Sequence, residues 1–348
     1  MAEAIQQDVK ARVHRDKPLV EVSGLKKYFP VSSGIFSRAS SFVHAVDDLN
    51  FTIMPGQSLG LVGESGCGKT TTGKLLVRLH EPTAGSILMQ TEDGDMEDIA
   101  HHKGTALRQF RRRTQMIFQD PYESLNPRRT IFDTVAEPLT VQGIGTLTER
   151  QERVAALLNE CGLTPPEQFM YRFPHELSGG QRQRVAIARA LIIDTMFIVA
   201  AEPPSMLDVS IRIGVMQLMS NLAERFGVSY LYITHDLAVA RYMTDQIGVM
   251  YLGKMVERAD TEELLSNPLH PYTQALLAAT PVPDPRLSRD FINIKGGISK
   301  PVDPPPRCRF YARCPIADEF CRDNPHPPLE DKGGGHYVAC YKVGVAGA

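Results

Sequence analysis

The chain lacks the features that would place it in a membrane or on nucleic acid by itself. No apolar run approaches the roughly 20 residues that a membrane-spanning helix needs, and residues 1–17 contain no apolar core of a secretory signal. Lys plus Arg number 38 against 40 Asp plus Glu, so no positive excess indicates non-specific binding to nucleic acid. We therefore expect a cytoplasmic protein that has no nucleic-acid partner and reaches a membrane only through another subunit.

Cysteine is also scarce, and four of the six cysteines lie in the last fifth of the chain. Five, six and eighteen residues separate them, and the four are Cys308, Cys314, Cys321 and Cys340. These gaps are longer than the C-x-x-C pairs of zinc fingers and differ from ferredoxin runs. In a reducing compartment such a group favours metal over disulfides. The spacing alone allows four thiolates to converge and leaves the ligand open.

The order of elements predicts an α/β protein with an N-terminal tail and a smaller C-terminal domain. We expect residues 1–18 to be a flexible tail, after which the sequence becomes β-rich. Strand and helix patterns then alternate, which is typical of a parallel sheet covered by helices. Helical patterns dominate from about 120 to 178, and proline becomes frequent after residue 266. We therefore predict one domain over 19–265 and a second over 266–348.

One helix within the predicted helical part has a clear start and stop. Thr148 and Gln151 have the T-x-x-Q spacing of a capping box, and Gly162 is a plausible stop. The apolar face between them has helical spacing and comprises Val154, Leu157, Leu158 and Cys161. We therefore interpret Cys161 as a core residue.

A glycine-rich loop provides the first chemical motif. It follows the strand-like run 57–62, precedes a helical run, and matches G-x-x-x-x-G-K-[ST] at Gly63, Glu64, Ser65, Gly66, Cys67, Gly68, Lys69 and Thr70, followed by Thr71. Glycines allow consecutive N–H groups to surround phosphate oxygens, and the helix dipole adds positive potential there. Lys69 is expected to reach the outer phosphates of ATP and Thr70 to bind Mg²⁺.

A second motif gives the family resemblance. The run LSGGQRQ over 177–183 lies well downstream of the phosphate loop and resembles the signature of ABC ATPases. The resemblance covers residues 19–265. It implies that the helix opened by Ser178, Gly179, Gly180 and Gln181 receives the γ-phosphate of ATP held by a second subunit.

The resemblance also assigns roles to single residues. Tyr28 matches the aromatic residue that stacks on adenine, and Gln119 matches the glutamine that senses Mg²⁺ and the attacking water. Glu202 matches the catalytic carboxylate, and His235 matches the histidine at the γ-phosphate. Asp208 matches the loop that crosses the dimer interface. The implied chemistry is phosphoryl transfer to water.

Two longer segments narrow the resemblance. FQDPYESLNPR over 118–128 and NPLHPYT over 267–273, followed by the cysteines, are similar to ATPases of dipeptide, oligopeptide and nickel importers. The cysteine-rich ending and intact signature most resemble the second ATPase of dipeptide importers. The implied fold is an α/β P-loop ABC-type ATPase with an antiparallel β subdomain, a helical subdomain and a small cysteine-containing C-terminal domain.

The resemblance further implies an assembly and a cluster. The assembly has a second ABC ATPase subunit, expected to form a heterodimer, two transmembrane permease subunits and an extracytoplasmic solute-binding protein. This chain would lie peripherally on the cytoplasmic face of the inner membrane and energise import of short peptides. On the four cysteines we expect a [4Fe-4S] cluster first, zinc second and free thiols third. Because this tail lies outside the motifs that handle ATP, its expected role is structural or redox.

One position departs from the family pattern and keeps other hypotheses open. Ala201 stands where the family has an aspartate that helps to hold Mg²⁺. A non-hydrolysing regulatory ABC subunit is therefore one alternative. A soluble ABC ATPase of DNA repair or translation is another, although this chain has neither a long coiled-coil insertion nor a second cassette. Nickel, oligosaccharides and opines remain alternative cargoes.

Overall fold

The computed structural model describes residues 14–31, 41–193, 195–203, 207–279, 294, 296–297 and 300–344. Its strands are β1 Val20–Val31, β2 Ser41–Ile53, β3 Ser58–Val62, β4 Ala84–Gln90, β5 Met96–Asp98, β6 Thr114–Ile117, β7 Phe197–Ala201, β8 Ser229–Ile233, β9 Gln246–Tyr251, β10 Lys254–Asp260, β11 Glu330–Asp331 and β12 Tyr337–Val338. Its helices are α1 Lys69–Leu76, α2 Gly104–Arg113, α3 Pro121–Ser124, α4 Ile131–Gln142, α5 Leu147–Glu160, α6 Glu167–Met170, α7 Gly179–Leu191, α8 Val209–Phe226, α9 Leu237–Met243, α10 Thr261–Ser266, α11 Pro271–Ala278 and α12 Glu319–Asp323.

The strands form two sheets, one of which is the predicted antiparallel β subdomain. Its order is β2-β1-β4-β5, and all of its pairings are antiparallel. Alternate residues of β1 and β2 are buried, as expected for a sheet with one face on a core. Their side chains join those of β3 and α1 in one apolar cluster, so this sheet packs on the element that carries the phosphate loop.

The larger sheet brings four chain segments to one edge. Its order is β11-β12-β10-β9-β3-β8-β7-β6, and the pairings from β9 to β6 are parallel. Strands β3, β7 and β8 are almost completely buried, which is typical of parallel strands covered on both faces. The carboxyl ends of parallel strands meet at one edge, where α/β proteins bind ligands. The segments that follow β3, β6, β7 and β8 therefore converge.

Helices fill the predicted helical subdomain, with one correction at its main helix. The capping box predicted at Thr148 and Gln151 is wrong. Thr146 caps α5, because its hydroxyl accepts from the Glu149 N–H while the Glu149 carboxylate accepts from the Thr146 N–H at 2.6 Å. The predicted core role of Cys161 is confirmed, since it is fully buried and burial raises the pKa of its thiol to about 12.

Segments near both ends of the described part of the chain contact the two sheets. Residues 1–13 of the predicted tail lie outside the described residues, but His14 and Lys17 bond to Gln90 and Gly94 beside β4. Beyond residue 266, β12 pairs with β10 and extends the large sheet. This pairing joins the C-terminal segment to the cassette, and a separate cysteine-containing domain is not confirmed.

Candidate functional site

The phosphate loop has the backbone that its sequence predicts. Gly63 and Gly68 have φ values of 147° and 113°, in the region that favours glycine. A Cβ at Gly68 would lie 2.1 Å from the Ala45 carbonyl oxygen, and one at Gly63 would lie 2.3 Å from that of Met250. Both positions therefore require glycine. Helix α1 begins directly after Gly68, so its N-terminus faces the loop.

Lys69 is folded against its own loop. Its Nζ donates to the carbonyl oxygens of Gly63 at 2.6 Å and Glu64 at 3.0 Å, and the residue is 6% exposed. The ammonium thus lies inside the cradle with two backbone acceptors. An anionic ligand at this place would compete for that charge.

The carboxyl ends of four parallel strands enclose a cavity of about 530 Å³. Its lining includes the phosphate-loop residues Ser65, Gly66, Gly68, Lys69, Thr70 and Thr71, together with Gln119, Glu202 and His235. Val43 and Ala45 of β2 complete the lining; the sequence had shown them only as part of a strand. The structure therefore brings together three polar residues that lie far apart in the chain.

These three polar residues form a connected row. The Gln119 Nε2 donates to Glu202 Oε2 at 2.9 Å, and His235 Nδ1 lies 3.0 Å from Glu202 Oε1. Glu202 itself has φ 45°, an unusual backbone region for a residue with a side chain and one that is enriched at functional sites. A carboxylate held from both sides at a cavity can orient and polarise a water molecule.

The cavity has oxygen ligands that suit Mg²⁺, but it lacks the aspartate that the family pattern has at position 201. The Thr70 hydroxyl and the Gln119 amide oxygen are hard oxygen ligands, which Mg²⁺ uses together with several waters. Ala201 ends β7 and is 4% exposed, and its methyl group supplies no ligand. Glu202 is the one carboxylate among the described lining residues. The residues fit a metal held mainly by substrate and water.

Tyr28 lies on β1, where it pairs with His44 of β2, and it is not part of the cavity lining. Its hydroxyl donates to Asp47 Oδ1 at 2.6 Å, and its ring stacks on His44 with a centroid distance of 3.9 Å. Burial opposes ionisation of Asp47, yet Tyr28 and the cations Lys254 and Arg309 hold the pKa of its carboxyl below the usual value. Tyr28 is thus fixed by a buried carboxylate that the sequence analysis missed.

The signature residues lie apart from this cavity. Ser178 caps α7 in a reciprocal box with Gln181, with distances of 3.0 and 3.3 Å. Asp208 is the N-cap of α8. Across the described chain, no signature residue and no part of Asp208 lines the cavity that holds Lys69. The N-terminus of α7 is therefore available to a ligand bound elsewhere.

The C-terminal segment, which lies outside the ATP motifs in the sequence, contacts the phosphate loop in the structure. Arg313 donates to both carboxylate oxygens of Glu64, at 2.7 and 2.9 Å. The Tyr272 hydroxyl accepts from the Glu64 N–H at 2.9 Å. Tyr272 belongs to the NPLHPYT run noted in the sequence, whereas no sequence signal points to Arg313.

The four C-terminal cysteines lie near enough to affect one another's titration. Burial first, and then the neighbouring thiols, raise the pKa of Cys308 to about 11. Cys314 and Cys340 also have raised pKa values, with burial as the first cause. Over the described ranges, however, no three or more His, Cys, Asp or Glu side chains form a group that fits a metal ion. The described residues therefore give no support to the predicted [4Fe-4S] cluster or to the zinc ion.

The known proteins that this chain resembles are ATP-binding proteins, which agrees with the site. Residues 46–205 match the family of ABC transporters, and residues 256–321 match the C-terminal region of oligopeptide/dipeptide transporters. The oligopeptide transport ATP-binding protein AppF of Bacillus subtilis is 46% identical over 93% of this chain and 97% of its own length. The dipeptide transport ATP-binding protein DppF of Haemophilus influenzae is 44% identical over 95% and 98%, respectively.

None of the described helices is long and apolar enough to cross a membrane. A solved structure supports the same fold. The dimeric ATP-binding cassette MJ0796 bound to ADP and Pi is 28% identical, with a TM-score of 0.60, over 70% of this chain and 98% of that one. None of the proteins named here is an ATPase of DNA repair or translation. The chain belongs to the ATP-hydrolysing ABC transporter ATP-binding proteins, in the group that carries the oligopeptide/dipeptide transporter C-terminal region.

Proposed function

We propose that this chain is one of two ATPase subunits that energise import of short peptides. The observation that carries the proposal is the cavity in which the phosphate loop meets Gln119, Glu202 and His235. The peptide cargo rests on the relatives named for oligopeptide and dipeptide transport. The membrane pair, the solute-binding protein and the cytoplasmic face are parts of the same proposal.

Different residues of the cavity have different roles in ATP hydrolysis. Lys69 and the loop amides bind the phosphates. Thr70 and Gln119 would hold Mg²⁺, whose charge would neutralise the developing negative charge. Glu202 orients and polarises the attacking water. Its contact with Gln119 links the water site to the metal site.

His235 and Tyr28 act at opposite ends of the nucleotide. His235 is well exposed at the cavity and donates to the γ-phosphate. Tyr28 stacks on the adenine, with its hydroxyl held by Asp47.

The signature of this chain serves a second ATP. The separation of Ser178 from the cavity of its own chain supports a head-to-tail dimer with a second ATPase subunit. In that dimer Ser178, Gly179, Gly180 and Gln181 approach the partner's γ-phosphate, and Asp208 lies at the crossing loop. We propose that the dimer is a heterodimer, because Ala201 would otherwise weaken both of its sites.

Uptake of a labelled dipeptide tests the cargo and the role together. Cells that lack this chain are complemented with the wild type, and uptake of dipeptide, oligopeptide and nickel is compared. Restored peptide uptake supports the proposal. Restored nickel uptake without peptide uptake would show that the cargo is wrong while the ATPase role holds. Co-purification with integral membrane subunits separates the importer from a soluble ATPase.

The iron–sulfur cluster is a separate proposal about the C-terminal cysteines. The chemistry of four thiols, which are the soft ligands that such clusters use, supports it. Iron with acid-labile sulfide in anaerobically purified protein is the expected result, whereas zinc without sulfide, or no metal, would contradict it.

A further inference from the structure

Two arginines of the C-terminal segment contact two carboxylates that lie close in sequence to residues of the cavity lining. Arg309 donates to the carboxylate of Asp47, and Arg313 donates to that of Glu64. The turn between them is closed by N–H groups of Arg313 and Cys314, which both donate to the Phe310 carbonyl at 2.9 Å. One short turn thus carries both contacts.

The turn is fixed to the cassette by aromatic packing. Phe310 is 1% exposed, and its ring lies 5.2 Å from that of Tyr251 and 5.5 Å from that of Tyr272. Tyr251 ends β9, which pairs with the phosphate-loop strand β3. The arginines therefore project from a rigid base, as a positioning group must.

On the phosphate side, both the backbone and the side chain of Glu64 are held. The Arg313 fork gives two parallel charge-assisted hydrogen bonds, a strong and directional arrangement. Tyr272 accepts from the Glu64 N–H, and the Glu64 carbonyl accepts from Lys69 at 3.0 Å. The contacts of Arg313 and Tyr272 thus fix Glu64, and the carbonyl of Glu64 in turn holds the ammonium of Lys69.

On the adenine side, Arg309 acts through Asp47. The same carboxylate accepts from the Tyr28 hydroxyl at 2.6 Å and lies 3.6 Å from Lys254. The ring of His44 covers one face of the Tyr28 ring. The backbone N–H of His44 donates to the Pro301 carbonyl at 2.8 Å. The C-terminal segment thereby fixes the orientation of the aromatic ring.

We propose that Arg309 and Arg313 are positioning residues for ATP, which couple the C-terminal segment to base recognition and to phosphate binding, respectively. The inference rests on the proposed roles of Tyr28 and the phosphate loop. Neither arginine touches the reacting atoms. If the two arginine contacts only joined two parts of the fold, replacing them would lower the stability of the protein but would not change its relative affinities for different ligands. Discrimination between ligands is therefore the decisive readout.

The experiment uses the full-length chain and two probes, ATP and inorganic tripolyphosphate. Arg313→Gln is expected to weaken both probes by about 10-fold, because a charge-assisted contact to the phosphate loop is lost. Arg309→Gln is expected to weaken ATP by about 10-fold and to leave tripolyphosphate unchanged. The matched control Arg322→Gln removes an exposed arginine that pairs with Asp323, and it should bind both probes as the wild type does.

Further variants keep the test decisive. In Glu64→Gln/Arg313→Gln, the affinity should be no lower than in Arg313→Gln alone, because both changes break one contact. If a glutamine variant does not fold, Arg309→Lys and Arg313→Lys keep the charge but not the fork, and should show the same ligand pattern with a smaller change.

Two outcomes would overturn the inference, and they are distinguishable. Wild-type affinities for both probes in both arginine variants, with only a lower Tm, would show a structural tie. A wild type that binds ATP no more tightly than tripolyphosphate would instead overturn the proposed adenine site, together with the role of Arg309. The Arg313 result would still stand in that case.

Discussion

Restoring the acid at position 201 should speed ATP hydrolysis at this chain's own site. Ala201 is the last residue of β7, pairs with Ile233 of β8, and directly precedes Glu202. Ala201→Asp would place a carboxylate at the carboxyl end of the sheet, where Thr70 and Gln119 offer the other metal ligands. The wild-type site lacks that negative charge, and we therefore expect it to hold Mg²⁺ less firmly.

The size of the effect follows from two estimates. Losing an outer partner of a metal typically costs about 10–100-fold in affinity or activity, which corresponds to about 1.4–2.8 kcal/mol. A full charge about 4 Å from a unit charge gives an upper bound of about 4 kcal/mol at an effective dielectric of 20. We therefore expect Ala201→Asp to lower the Mg²⁺ concentration for half-maximal ATPase by about 10-fold or more.

The opposing effect of the same substitution is a loss of stability without metal. Position 201 is 4% exposed and lies in an apolar cluster, so an unpaired carboxylate there is unfavourable. The Tm of Ala201→Asp should fall in metal-free buffer and recover with Mg²⁺ and ATP. Ala201→Asn is the matched control, because it has the same shape without the charge and should show no gain in Mg²⁺ dependence.

The assay is Mg²⁺-dependent ATPase of the assembled complex, with Glu202→Gln measured beside Ala201→Asp. We expect a gain for the aspartate and little loss for the glutamine, because the site made by the partner's phosphate loop and this chain's Ser178 does most of the work. No gain in Ala201→Asp, or full loss of activity in Glu202→Gln, would show that this site is already competent and that the reasoning is wrong.

Three further predictions concern single contacts. Lys69→Ala should abolish tight ATP binding in a direct binding assay, since Lys69 is the cation of the phosphate cradle; unchanged affinity would contradict the site. Ser178→Arg should stop peptide uptake while this chain still binds ATP, because bulk enters the partner's γ-phosphate position; uptake at the wild-type rate would contradict the proposed dimer. Burial lowers the pKa of His336, but its contacts with Glu257 at 2.7 Å and with Glu263 raise it above the usual value. The stabilisation is therefore fully present below about pH 6.5 and lost as pH rises through the raised pKa. The Tm gap between wild type and His336→Gln should be largest near pH 6 and shrink toward pH 9, and a constant gap would refute this account.

The local motifs of the site could be predicted from the sequence because their chemistry is local. The phosphate loop needs glycine at two positive-φ positions between a strand and a helix, and Gly63 and Gly68 meet that need within six residues. Ser178 and Gln181 likewise cap one helix from three residues apart. The places of Gln119 and Glu202 required the family resemblance, since only the parallel order of strands brings them together.

Other features could not be predicted, for two physical reasons. The segment TLTERQ offers two capping boxes with equal spacing, and the structure uses Thr146 with Glu149, where the Glu149 carboxylate reaches back to the first N–H. The contact of Arg313 with Glu64 joins residues 249 positions apart. No periodicity or spacing encodes such a contact, so the sequence predicted only a structural or redox role for the C-terminal segment.

The most direct test of the central claim is uptake of a labelled dipeptide by cells in which this chain has been deleted. We predict that deletion abolishes uptake, that the wild type restores it, and that Lys69→Ala, expressed at the same level, does not. Uptake that survives the deletion, or that Lys69→Ala restores in full, would contradict the claim that peptide import requires ATP bound by this chain.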